Sequence, residues 1–132
     1  MTVDSWDPSA GPELSALDMQ RLCRAATELE APQFGLSELE IARLAPFARH
    51  QDGVDWSTLA ADQTSAVIED LIRLFTLAES AFPAWEAGAR SPVVPLAKLL
   101  KARGDYPKEL TRWIKSNTDN RFLPHGSLMD RL

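Results

Sequence analysis

The sequence predicts an all-α fold: an irregular bundle of about five helices with no sheet. Three observations carry that reading. No stretch of four to eight residues alternates apolar and polar positions with β-branched side chains, as a half-buried strand would. Nine prolines and six glycines divide the chain into helix-length segments. The segments with helical periodicity cover roughly 75 positions, well above the third or so typical of globular proteins. There is no internal repeat or low-complexity run, which argues against a solenoid.

Each element has its own signals. Residues 1–11 are polar and read as a flexible N-terminal arm; residues 12–132 read as a single helical domain. A first helix fits Pro12 to Glu30, with Leu14, Leu17, Met19, Leu22, Ala25, Ala26 and Leu29 on one broad face and Pro32 beyond its end. Ser37 and Glu40 have the spacing of a capping box and start a second helix, whose end is complicated by Pro46. His50 to Trp56 reads as a loop around the turn signal Asp52-Gly53. The longest helix is expected from Asp62 to Phe82. Its apolar residues from Val67 to Phe82 span an arc of about 160°, which suits a central helix touched by several neighbours.

Residues 84–90 then read as a connector. Ser91-Pro92 looks like a helix start that Pro95 delays to about Val94, and Gly104 is a good stop. Pro107 opens the last clear helix, with Leu110, Trp113 and Ile114 on its apolar face. After Asn117 the chain is irregular, with Phe122 and Leu123 expected to dock in the core and one turn expected in the last five residues.

Composition narrows the class. A 45% hydrophobic and 25% charged chain of 132 residues is ordinary for a soluble globular domain, which excludes disordered, collagen-like and disulfide-scaffold classes. Cys23 is the only cysteine, so no intrachain disulfide forms. The opening Met-Thr-Val-Asp-Ser-Trp-Asp lacks a basic start and an apolar core, so no secretory signal is expected. No apolar run approaches the 18 or so residues of a membrane span, so no membrane partner is expected and a cytoplasmic location follows by elimination.

The net charge of −5 hides a division. Residues 1–89 carry five basic and fifteen acidic side chains, while residues 90–132 carry nine basic and four acidic. Either the two halves neutralise each other, or the second half keeps a basic face for an acidic or phosphate-bearing partner. Segment 92–117 has the outline of a helix–turn–helix. Lys108, Arg112 and Lys115 lie on one side of its second helix, where contacts to phosphates would be made.

Polar residues in apolar arcs mark other candidates. Asp18 falls between Leu14 and Leu22, with Arg21 near enough to pair with it. Glu79 falls inside the core arc of the longest helix, and a buried carboxylate needs an arginine or a set of donors. Arg90, Lys98 and Arg121 are the cations in reach. One reading makes Glu79 a tie that pins the connector. The other makes Glu79, Trp85, Glu86, Arg90 and Arg121 a binding site with an aromatic wall. Of the four tryptophans, Trp113 fits a helix face, while Trp6, Trp56 and Trp85 fall in segments read as non-helical.

Catalytic and metal motifs are missing: there is no CxxC, HExxH, ExxH pair, P-loop or EF-hand loop. Cys23 lies at the edge of a helix face and reads as a small apolar residue. No catalytic residue, metal ligand or cofactor is assigned.

Phe75-Thr-Leu-Ala-Glu79, Trp85-Glu-Ala-Gly88, Ser91-Pro-Val93, Trp113-Ile-Lys115 and Asn120-Arg-Phe-Leu-Pro124 together resemble the C-terminal half of small proteobacterial all-helical proteins of unknown function. The resemblance covers residues 75–132 and implies a bacterial cytoplasm, with no activity, ligand or partner attached. The functional expectation is therefore a small non-catalytic binding or adaptor protein that works through contacts with another protein or a second copy of itself. Nucleic-acid or phosphate-ligand binding through segment 92–117 is the alternative, and a carboxylate-based enzyme the second alternative.

Overall fold

The computed structural model describes residues 16–29, 35–48, 55–120 and 122–124. Along them run α1 (Ala16–Thr27), α2 (Glu38–Ala48), α3 (Trp56–Leu59), α4 (Ser65–Ala81), α5 (Val93–Arg103) and α6 (Leu110–Asn117). Two 3-10 turns, Pro83–Trp85 and Gly88–Arg90, join α4 to α5. The described residues contain no strand, and the fold is an all-α bundle. The expected N-terminal arm and the expected turn at the C-terminus lie outside the described residues.

α4 is the axis of the bundle. The Thr64 hydroxyl accepts the Val67 N–H at 3.2 Å and caps it, so the helix starts three residues after the expected Asp62. Ile68, Leu71, Ile72, Leu74, Phe75 and Ala78 are all buried. Such a wide apolar arc needs cover from several sides, and α1, α5, α6 and the first 3-10 turn all pack on α4.

α1 brings Leu22, Ala25 and Ala26 into the core. Its buried stripe is centred on Asp18, Leu22 and Ala25, which leaves Leu17, about 100° further round the helix, outside it. Leu17 was expected on the apolar face and is 75% exposed. Asp18 is buried and pairs at 3.1 Å with Arg43 of α2. The expected partner, Arg21, is engaged by Glu40 of α2 at 2.6 Å and also donates to the Gly35 carbonyl. The carboxylates of α1 and α2 thus pair across the two helices.

α2 opens with the expected capping box: Glu40 N–H donates to the Ser37 hydroxyl at 3.1 Å, and Ser37 N–H to the Glu40 carboxylate at 3.0 Å. It runs through Pro46 to Ala48. Pro46 removes only one bond so near the end, and buried Leu44, Ala45, Phe47 and Ala48 hold the last turn down. Trp56, expected in a loop, is the first residue of α3, capped by Asp55, and is fully buried. Its Nε1–H donates to the Phe47 carbonyl at 2.7 Å.

α5 begins at Val93, one residue before expectation. Pro95 falls in the first turn, where backbone N–H groups have no partner within the helix, so its missing donor is not felt. The Ser91 hydroxyl accepts the Val93 N–H instead. Gly104 closes the helix at φ 76°, with Gly104 N–H on the Lys101 carbonyl and Asp105 N–H on that of Leu100. α6 buries Leu110 and Ile114, while Trp113 is half-buried beneath the Arg73 guanidinium, 4.7 Å from the ring centre. Residues 104–109 separate α5 from α6, and both helices pack on α4 more than on each other.

Candidate functional site

The site forms where the connector between α4 and α5 meets the chain after α6. It is a cleft of about 590 Å³. α4 contributes Glu79, the connector Glu86 and Gly88, and the C-terminal segment Asp119, Asn120 and Phe122.

Glu79 organises these walls. It lies one turn beyond Phe75 on α4, so its helical angle points it inward, and it is 9% exposed. Its Oε2 accepts the N–H groups of Ala87 at 3.0 Å and Gly88 at 3.2 Å. The Asn120 amide donates to Oε1 at 3.1 Å and Oε2 at 3.0 Å, and also to the Gly88 carbonyl at 2.9 Å. Asn120 is held in turn: its N–H donates to the Thr118 hydroxyl, and its Oδ1 accepts the Phe122 N–H. Gly88, at φ 61°, adopts the left-handed conformation that presents its N–H to the carboxylate. One buried carboxylate therefore joins α4, the connector that follows it and the C-terminal segment 41 residues away.

Both Glu79 oxygens are occupied by these donors. The carboxylate is satisfied as a buried charge must be, and the arrangement fits positioning rather than proton transfer. Glu86 and Asp119 are exposed, and Phe122 is half-buried.

The residues expected at the site separate into groups. Glu79 and Glu86 come together in the cleft. Trp85 does not line it. Its ring is 1% exposed, packs on Phe75 and Phe82, and donates Nε1–H to the Ile41 carbonyl of α2 at 2.8 Å. The expected tryptophan wall is thus a core residue bridging α2 and α4, and the aromatic lining is Phe122. Arg90 is exposed on the second 3-10 turn and outside the cleft lining. Arg121 lies outside the described residues. The donors to Glu79 are two backbone amides and an asparagine, where the sequence pointed to a cation. Nothing in the sequence marked Asn120 as a partner of Glu79, because its role depends on a contact across 41 residues.

Lys108 and Arg112 are exposed and Lys115 is half-buried, away from this cleft. Among the described residues, no carboxylate lies within 4.0 Å of any of the three. Burial pushes the Cys23 thiol up from its ordinary value, which disfavours the reactive thiolate. Among the described residues no cluster of three metal-ligating side chains occurs, and no helix is long and apolar enough to cross a membrane. No protein-family model, curated protein or solved structure matches the chain.

Proposed function

We propose that the chain is a small, non-catalytic binding or adaptor protein of the bacterial cytoplasm, acting through protein–protein contacts at the Glu79 cleft. The observation that supports this is the state of Glu79. It is the most buried carboxylate at the cleft, and its oxygens are taken by the Ala87 and Gly88 amides and by Asn120. The hydrogen bonds hold the cleft's walls in place before any ligand arrives, which lowers the ordering cost of binding. The groups left for a partner are the exposed carboxylates Glu86 and Asp119 beside the Phe122 ring. A partner side chain with an apolar stem and a polar tip suits that mixture.

The test is affinity co-purification from the source cells with mass spectrometry, comparing wild type with Glu86→Lys and Phe122→Ala. A partner retained by wild type and by Lys98→Ala, but lost from both cleft variants, is the expected result. Equal recovery in all four would remove the cleft as the working surface.

A further inference from the structure

We infer that the outer face of α6, with the end of α5, is a second docking surface, and that it takes an acidic segment of a protein partner. This goes beyond the cleft and shares no residue with it.

The face is built by the packing of α6. Leu110 and Ile114 are buried on α4, and Trp113 lies under Arg73, which turns Lys108, Arg112 and Lys115 away from the core. The end of α5 is fastened beside them. The Tyr106 hydroxyl and the Thr111 hydroxyl share a hydrogen bond of 2.7 Å, and the Lys101 ammonium sits 5.0 Å from the Tyr106 ring centre. Lys101 is thereby held over the Tyr106 ring, in the turn that leads into α6.

Among the described residues, no ion pair joins Lys108, Arg112 or Lys115 to a carboxylate of the first half. The ion pairs between described residues are Arg21–Glu40, Arg24–Glu28, Arg43–Asp18 and Arg73–Glu69, all within the acidic half. Arg103, the remaining cation of the α5 end, is directed inward to the carbonyls of Ala61 and Gln63. Lys108, Arg112 and Lys115 are left facing outward without a described carboxylate in range.

Charge complementarity then selects the partner. The exposed Glu109 adjoins Lys108, and the whole chain is at −5. A nucleic-acid backbone, with a charge at every phosphate, meets that carboxylate along with the cations. A polypeptide carrying a few separated carboxylates meets the cations and avoids Glu109. The Tyr106 ring is covered by Lys101, so no bare aromatic is offered for base stacking.

The test is fluorescence anisotropy of the full chain with a labelled acidic peptide of alternating Glu and Ser, with random-sequence duplex DNA as competitor. Salt is set at about 25 mM and about 150 mM to span the screening range. The expected result is peptide binding that weakens with salt, falls at least roughly tenfold in a Lys108→Glu, Arg112→Glu, Lys115→Glu variant, and is unchanged by Glu38→Gln on the exposed first turn of α2. Circular dichroism of the triple variant must match wild type. The triple variant carries only outward-facing changes; if it fails to fold, single Arg112→Glu gives the same reading with a smaller loss. DNA that displaces the peptide at equal charge concentration would overturn the inference in favour of a nucleic-acid face. Absence of peptide binding at low salt, or binding equally strong in the variant, would overturn it as well. Loss of the cleft's partner on Glu86→Lys is read separately, so either surface can fail without the other.

Discussion

At the scale of single residues, Glu79 has the largest expected effect. Glu79→Ala leaves the Ala87 and Gly88 amides without their acceptor and the Asn120 amide with the Gly88 carbonyl alone. Removing one partner of a buried charged network costs about 3 kcal/mol, read as a lower urea midpoint. Asn120→Ala leaves Glu79 its two backbone donors, and a smaller loss of about 1 to 2 kcal/mol is expected. Losses below about 0.5 kcal/mol for both would mean that water replaces the tie. Asp70 acts in the opposite direction. Partial burial, with Glu69 beside it, raises its carboxyl above the ordinary value, and Arg73 offsets this only in part. Because the folded chain holds this proton more tightly than the unfolded one, the contribution is favourable below the ordinary carboxylate range. It is lost as pH rises through the raised value. Asp70→Asn should therefore raise the melting temperature at neutral pH and give no gain in acid; an unchanged neutral melting temperature would count against this.

At the scale of elements, caps and stops dominate. Ser37→Ala removes half of the capping box on α2 and should cost about 1 kcal/mol. Gly104→Ala meets no atom within 4 Å, so any loss comes from the backbone alone. At φ 76° an added Cβ costs about 1 to 2 kcal/mol, and a melting temperature equal to wild type would show that α5 ends elsewhere. These devices were legible in the sequence because they are local: Ser37 and Glu40 are three residues apart, and a glycine stop acts where it stands. What was not legible depends on distance along the chain. Nothing near Asp18 pointed to Arg43, and nothing near Trp56 showed that its indole would reach the Phe47 carbonyl. Trp85 was read as part of a site because it falls in a connector read as non-helical, yet Phe75, Phe82 and α2 enclose it. Glu79 was legible as a buried carboxylate from its helical angle alone, and its partners were not, since asparagine and backbone amides leave no charge pattern to follow.

At the scale of the whole molecule, the last segment closes the bundle. Leu123 is 1% exposed, and Asn120 bridges Glu79 to Gly88. Deleting residues 118–132 removes both contacts and opens the cleft, so thermal melting should shift down clearly; the full-length melting curve in the truncated chain would refute this. Charge is arranged at the same scale. Among the described residues the ion pairs lie within residues 1–89, Arg103 turns inward, and Lys108 and Arg112 are exposed. The sequence posed that division as a question about neutralisation, which could be decided only by knowing which helix faces meet.

The indoles of Trp56 and Trp85 both donate to carbonyls of α2, at Phe47 and Ile41, and both are shielded from water. The chain therefore contains an optical gauge of one helix. Departure of α2 from the bundle would wet both rings together and shift their emission to the red, while the other helices could still hold their ellipticity. In a Trp6→Phe, Trp113→Phe chain, a fluorescence transition that precedes the loss of helical signal would identify α2 as an early part of the molecule to leave.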